Sequence, residues 1–529
     1  MSLTDIYNFW FKNEDMWFNS TPEIDKEISD RFSSLLLSPP DISTKLSHME
    51  SIGYILLYDQ ITRHVNRGDD ALISSHLEKI LPFAKDFYDN NKLIISPKEF
   101  PFVMLPFRHT KKYDLFLFTV KETWDKLKNT NIESTQNYYI RFLKASYERY
   151  LKFSLNKDYE GENIILYEPQ PRKIISEELK EILDERCMIA ELVESILPDL
   201  PDKDKIIKIV NYLDPTKHYI LSLSGGVDSM VLSYILHKKH IKFTAVHISY
   251  CNREECSQEV QFLKEWCDII QVKLYYREIH EIKRNDCMNF GLRELYEDYT
   301  RNIRFNTYKL VRQIINPEST ETNVFLGHNK NDRFENILTN IAGQSHYDNL
   351  TGMELIQNMS EINFYRPLLN TTKEEIYEFA QLVKVKHLPN STPSWSQRGK
   401  IRDHVKPSLI NWNPVIIESF FKLSKDLGSY VKFIENLADN TAHELRDKKV
   451  IIFNINTIPT LEYYWLHVFR INNIWLSTRS NINWIEKISY IKDKFETIEL
   501  NSIAKVNLTK DKQIMWKKIT SDEIQINLI

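Results

Sequence analysis

A chain of 529 residues with 42% hydrophobic and 27% charged side chains has the make-up of a folded protein of roughly two to four domains, which excludes a single small module and wholesale disorder. Sixty-nine basic against 73 acidic side chains leave a net charge of -4, so any contact with nucleic acid has to be regional. The amino terminus lacks the basic start and apolar run of a secretory signal, and no stretch of about 18 uncharged apolar residues reads as a membrane span. The cysteines, Cys187, Cys251, Cys256, Cys267 and Cys287, include no C-x-x-C pair. They suit a reducing, cytoplasmic setting and read as small buried side chains.

Residues 1 to about 155 carry helical spacing, and the aromatic pairs Trp10-Phe11 and Trp17-Phe18 are its expected core. Asp59, Arg63 and Arg67 stand at four-residue steps, the spacing of an intrahelical ion-pair ladder. A polar stretch with Gly161, Pro169 and Pro171 reads as a linker, with a boundary near residue 170. On that reading, removing residues 1–165 leaves the rest soluble. From about residue 218, short apolar runs (HYILSLS, IKFTAVHI, KLYYREI, NVFLGH) alternate with helical ones, which implies a parallel sheet covered on both faces and ligands at the carboxyl ends of its strands. The closing residues, from about 411, mix helices with strand-like pieces such as KVIIFNI. The expected organisation is an all-helical domain over 1–165, an α/β domain over 205–410 and a small α+β domain over 411–529.

Glycine is scarce, 11 in the whole chain, yet Gly225 and Gly226 stand side by side between the run ending at Ser224 and a helical pattern beginning at Val227. A strand, a turn without Cβ atoms and a helix start together aim backbone N–H groups and the positive end of a helix at an anion, most often phosphate. Asp228 and Ser229 fall in the first turn of that helix. No G-K-[ST] follows, so this is not a Walker loop.

S-G-G-V-D-S at 224–229 resembles the signature of the PP-loop ATP pyrophosphatases, which cleave ATP between its α and β phosphates to adenylate a substrate. AVHI at 245–248 with Arg253 and Glu254, YTRNIRF with Arg301 and Arg304, GHNKNDRFEN at 327–336, RPLLNTTKEEIYEFA at 366–380 and NSTPSWSQRGKIRDHVKP at 390–407 are similar, in order, to segments of the tRNA(Ile)-lysidine synthetases. The resemblance implies an α/β, PP-loop fold and three substrates: ATP with Mg2+, tRNA and a free amino acid. A cytidine of the anticodon is adenylated and a free amino acid, lysine in that family, is joined to it. Ser224, Gly225, Gly226, Asp228, Ser229 and His247 are implied at the nucleotide, with Asp228 also toward the metal.

Asp332 and Glu335, one helical turn apart beside His328, are read two ways: as a capping box with Asp332 at the N-cap, or as the acids that receive the amine, the role the resemblance implies together with His328. Asn329 and Asn331 depart from the family's second His and first Asp, which leaves the identity of the amine open. The stretch 398–406 holds Arg398, Lys400, Arg402 and Lys406 against Asp403, a local charge of +3. It reads either as a solvated run or, by its match to the family's R-N-x-I-R and with Trp395 nearby, as an RNA contact through Arg398, Lys400 and Arg402. Lys510, Lys512, Lys517, Lys518 and Trp516 are a candidate extension of that patch.

Two alternatives stand beside the ligase. One is thiolation by an enzyme of the same PP-loop group, disfavoured because the cysteines are isolated. The other is a catalytically silent RNA-binding or scaffold protein. The amino-terminal part, with LLYDQITRHVNRG at 56–68 and FVMLPFRHT at 102–110, resembles an uncharacterised all-helical bacterial family, which suggests a module that positions a protein partner.

Overall fold

The structure is a computed structural model; it describes all residues except 18–20, 39, 41–44, 155–163, 171–209, 253–255, 346–347, 390–395, 475, 477, 510–511 and 529, and the side chains of 478–481. Arg253, Glu254, Trp395, Lys510, Phe18 and Cys187 therefore lie outside the described residues. Two compact units result: Met1–Gly327 with Ile356–Pro367 and Glu374–Pro389, and His328–Leu355 with Leu368–Lys373 and Asn390–Ile529.

In the first unit the apolar runs form strands β1 (Ile164–Tyr167), β2 (Tyr219–Ser222), β3 (Phe243–Ser249), β4 (Leu274–Glu278), β5 (Thr322–Phe325), β6 (Ile356–Met359) and β7 (Ile362–Tyr365) of one sheet, in the order β1-β4-β3-β2-β5-β7-β6. The five inner strands are parallel, as the alternation of strands and helices predicts, while β1 and β6 pair antiparallel at the two edges. β3 and β5 are buried almost throughout, as strands covered on both faces are, polar Thr244, His247, Thr322 and Asn323 included.

The amino-terminal helices are started by well-placed caps, including the reciprocal Ser2/Asp5 and Ser47/Glu50 boxes. Their apolar faces close over Trp10, Ile55, Tyr58, Phe107 and Trp124. The expected ion-pair ladder is only half intrahelical: Arg63 reaches Asp59 at 3.3 Å, whereas Arg67 pairs with Asp25 of another helix. Asp59 also takes His109 at 2.7 Å.

These helices do not form a separable core. Ile279, Ile282, Cys287, Leu292, Tyr299 and Ile303, which follow β4, belong to the same buried cluster. At its centre Glu281, 3% exposed, accepts from Tyr113 Oη (2.9 Å), Tyr299 Oη (2.9 Å) and Arg277 Nη2 (2.6 Å), while its backbone carbonyl accepts from Tyr147 Oη (2.7 Å). Apolar and charged groups of both segments thus share one interior, which bears against the expectation that residues 1–165 can be removed without loss.

The second unit contains the helices Lys330–Ala342, Ile416–Lys448 and Glu462–Ile471, and an antiparallel sheet of β8 (Val450–Asn454), β9 (Ile503–Asn507), β10 (Gln513–Lys518) and β11 (Glu523–Leu528) in the order β8-β11-β10-β9. Trp465, Trp484, Ile514, Trp516 and Ile526 fill its core. Trp516 and Lys518 are therefore not part of a basic patch: along β10 every second side chain points inward, and the Lys518 ammonium donates to the carbonyls of Phe495 and Ile498 at 2.7 and 2.8 Å. No described helix is long and apolar enough to cross a membrane.

Candidate functional site

Chain geometry at the end of β2 fits an anion. Gly225 adopts φ +83°, a conformation an L side chain rarely takes, and a Cβ there would also stand 2.6 Å from Leu388 Cδ1. Gly226 is the N-cap of the helix Val227–Lys238, so the N-cap position has no side chain with which to cap it. Its first backbone N–H groups have no partner within the helix, and the positive end of the helix dipole lies there with them. Ser224 and Ser229 stand across the loop with their hydroxyls 3.1 Å apart, and Ser229 Oγ donates to the Gly226 carbonyl at 3.0 Å.

Two residues that the sequence reading left out shape this loop. Leu388 donates its N–H to the Gly225 carbonyl at 2.8 Å and forms an isolated parallel bridge with Gly226, so the glycine turn is held as an extra strand position. Gly327, just after β5, packs so close to the helix start that a Cβ would lie 3.0 Å from Ser229 N and 3.2 Å from Asp228 Cβ. The scarcity of glycine, together with its place at the carboxyl end of a parallel strand, is the signal for Gly327. Leu388 has none.

His247 lies on β3, 4% exposed, with Nδ1 2.9 Å from the Leu223 carbonyl. A carbonyl only accepts, so Nδ1 carries the proton. Burial lowers the imidazole pKa below its ordinary value, which keeps the ring neutral and makes Nε2 a bare acceptor. Nε2 is buried and has no hydrogen-bond partner among the described residues.

The second group of expected site residues lies in the second unit. The helix that carries Asp332 starts earlier than the sequence reading places it. Asn329 is the N-cap, its side-chain oxygen accepting from the N–H groups of Asn331 (2.8 Å) and Asp332 (3.1 Å), while Asp332 Oδ2 accepts from Asn329 N (3.1 Å). The capping box is therefore Asn329/Asp332, and Glu335 has no part in it. This also gives Asn329 a physical role, since an Asn is among the best N-cap residues.

Glu335 is buried and its carboxylate is taken up by the arginines expected to bind RNA. Arg402 donates from Nε (3.0 Å) and Nη2 (2.8 Å) to Oε1, and Arg398 donates from Nε (3.0 Å) to Oε2 and from Nη2 (2.5 Å) to Asp332 Oδ1. The arginines are four residues apart where the helix widens into a π turn over Ile401–Val405, so both face the acids. π turns recur at functional sites. Burial works against the Arg402 charge, yet the Glu335 carboxylate outweighs it and holds its pKa above the ordinary value. Lys400 points to solvent. The structure thus brings Asp332, Glu335, Arg398 and Arg402 together, and separately brings Ser224, Gly225, Gly226, Asp228 and Ser229 together around one turn.

Residues 199–409 match the PP-loop domain family, and residues 6–165 match a family of bacterial proteins of unknown function. The chain is 31% identical to the tRNA(Ile)-lysidine synthase of Chlamydia muridarum over 212 residues, 39% of this chain and 63% of that protein. It is 31% identical to the enzyme of the same name from Chlamydia trachomatis over 202 residues, 37% of this chain and 59% of the relative. The chain therefore spans about three fifths of the curated relatives it matches. Among solved structures, a U34-tRNA thiolase of Methanococcus maripaludis superposes with a TM-score of 0.34 at 15% identity, over 42% of this chain and 77% of the other. The chain has an α/β core of which residues 199–409 match the PP-loop domain, an all-helical amino-terminal region and a small antiparallel sheet near its carboxyl end.

Proposed function

We propose that this chain is an ATP-dependent tRNA-modifying ligase that adenylates a base, cytidine by similarity to the relatives, and joins an amine such as lysine to it, releasing pyrophosphate and AMP. The single observation that carries the reading is the glycine turn Ser224-Gly225-Gly226 at the start of the helix Val227–Lys238, within a chain 31% identical over 212 residues to a tRNA(Ile)-lysidine synthase. Phosphates are held by the backbone N–H groups of the turn and by the Ser224 and Ser229 hydroxyls, which exchange their mutual hydrogen bond for phosphate oxygens. His247 Nε2 accepts a hydrogen bond from the bound nucleotide, which supplies the partner that this buried nitrogen lacks. The Asp228 carboxylate suits a hard cation; it would hold Mg2+, which would supply neutralisation of the phosphate charge.

Asp332, Glu335 and His328 receive the amine. Two carboxylates set against two guanidiniums sum to zero charge, so an incoming ammonium competes with an arginine already in place. Arg398 is the one to yield: its side chain is 48% exposed against 31% for Arg402, and it spans both acids. Released from them, Arg398 turns to an RNA phosphate, so amine capture and RNA binding exchange partners through one side chain. The test is incubation of the chain with ATP, lysine and total tRNA, followed by mass analysis of digested nucleosides. A base heavier by one lysyl residue supports the reading. A base carrying sulfur instead favours thiolation, and no modified base in any tRNA favours a silent RNA-binding protein.

A further inference from the structure

We propose that Cys251, Glu278 and His280 form a binding site for one divalent transition-metal ion of the zinc class, at the carboxyl ends of β3 and β4. The thiol sulfur, a Glu278 carboxylate oxygen and a His280 ring nitrogen lie within 4.8 Å of one another. That is a small closure away from the separations that a tetrahedral ion bound at about 2.0–2.3 Å imposes on its ligands.

The frame that carries these groups is fixed from several sides. Ser249 pairs with Glu278 in the parallel ladder, and Ile279 N donates to the Ser249 carbonyl at 2.8 Å, which sets the two strand ends side by side. Beyond β3 the chain is tied to the start of the helix that follows β4: Lys283 Nζ donates to the Cys251 carbonyl at 2.6 Å and Arg284 N donates to Asn252 Oδ1 at 3.2 Å. Among the described residues, Cys251 Sγ meets the Ser249 hydroxyl at 3.5 Å, a weak contact in which either group can donate, and donates to the Ser249 carbonyl at 3.7 Å. His280 and Glu278 approach each other at 3.4 Å, a long contact for an ion pair between groups two residues apart.

Chemistry selects the ion. A set of sulfur, imidazole nitrogen and carboxylate oxygen is borderline soft and favours Zn2+ over Mg2+ or Ca2+, which take oxygen. Burial pushes the Cys251 thiol pKa up, so the thiolate forms when the metal displaces its proton to solvent. Three protein ligands leave a fourth position for water, the pattern of an open site rather than a closed structural one. Nothing in the proposed ligase reaction uses these residues, so the site stands independently of that reading.

The experiment strips the full chain with a chelator, then titrates it with Co2+ and follows absorbance, because thiolate-to-cobalt charge transfer reports a bound sulfur and ligand-field intensity reports coordination number. Wild type should take up one equivalent with a charge-transfer band that one equivalent of Zn2+ abolishes. Cys251→Ser should lose the band, and His280→Ala should weaken binding by at least about tenfold. Cys256→Ser should keep it. Far-ultraviolet circular dichroism of each variant, unchanged from wild type, ties these losses to the ligands rather than to unfolding. Absence of a stoichiometric band in wild type, its persistence in Cys251→Ser, or its loss in Cys256→Ser would each overturn the site.

Discussion

Removing residues 1–165 strips one side from a shared core. Ile279, Ile282, Leu292 and Ile303, each no more than 7% exposed, lose the helices that bury them. At about 1.5–3 kcal/mol for each large aliphatic side chain returned to water, these four alone cost roughly 6–12 kcal/mol. Residual compactness of unfolded chains trims such figures by roughly 10–40%, leaving about 4–11 kcal/mol. That is comparable with the whole stability of a typical domain, about 5–15 kcal/mol. Glu281 meanwhile loses the Tyr113 hydroxyl and its carbonyl loses that of Tyr147. The assay is expression of residues 166–529, with light scattering on the soluble fraction and a thermal melt. Aggregation, or a non-cooperative melt, is expected. A monodisperse fragment melting cooperatively within a few degrees of the full chain would refute the shared-core reasoning. Tyr113→Phe in the full chain gives a milder check: one hydrogen bond to a buried carboxylate is worth about 1.5–3 kcal/mol, read as a fall in the denaturation midpoint with unchanged slope.

Glu335→Gln removes the charge that two guanidiniums share and turns an amide N–H2 toward one of them, so a loss of about 2–3 kcal/mol is expected, and combination with Arg402→Ala should cost less than the sum. Additive losses in the denaturation cycle would show that the pair is not coupled. Replacing Arg398 and Arg402 with Ala should weaken tRNA binding and lower the salt slope of log K by roughly 0.7 for each phosphate no longer neutralised, checked by titration at several salt concentrations while ATP affinity is followed in parallel. An unchanged slope would remove Arg398 from RNA binding, and Arg402 with it as a residue that shapes that contact. His247, held below its ordinary pKa near 6.5 by burial, binds its proton less readily in the folded than in the unfolded chain. Its contribution to stability is present above that pH and is lost as pH falls below it. His247→Asn should therefore flatten the difference in denaturation midpoint between about pH 7.5 and 5.5, and an undiminished difference would count against a neutral imidazole.

What the sequence reveals is what is local. The turn at Gly225-Gly226 is legible because strand, glycine pair and helix lie within about a dozen residues, and each follows from short-range rules. The parallel order of the inner strands follows from their alternation with helices, but the antiparallel edges β1 and β6 do not, because strand pairing is decided by partners distant in the chain. Position along the chain gives no sign that Arg398 and Arg402 neutralise Glu335, and read alone a basic stretch suggests RNA. Asn329 is visible as a departure from the family pattern, yet its role as N-cap depends on where the helix actually begins, the least certain feature of any such reading. The alternation in QIMWKK does contain the inward position of Lys518, since Ile514 and Trp516 share its face. The fusion of the helical region with the residues after β4 has no sequence signal at all.

The central claim is that the Ser224–Ser229 turn serves α–β cleavage of ATP, and labelled nucleotide tests it directly. With tRNA and ATP labelled at the α phosphate, the chain should form AMP and release pyrophosphate. A folded Asp228→Ala variant should form neither, because the first turn of that helix matters for charge more than for packing. ADP and orthophosphate as the only products, or wild-type turnover by the Asp228→Ala chain, would contradict it.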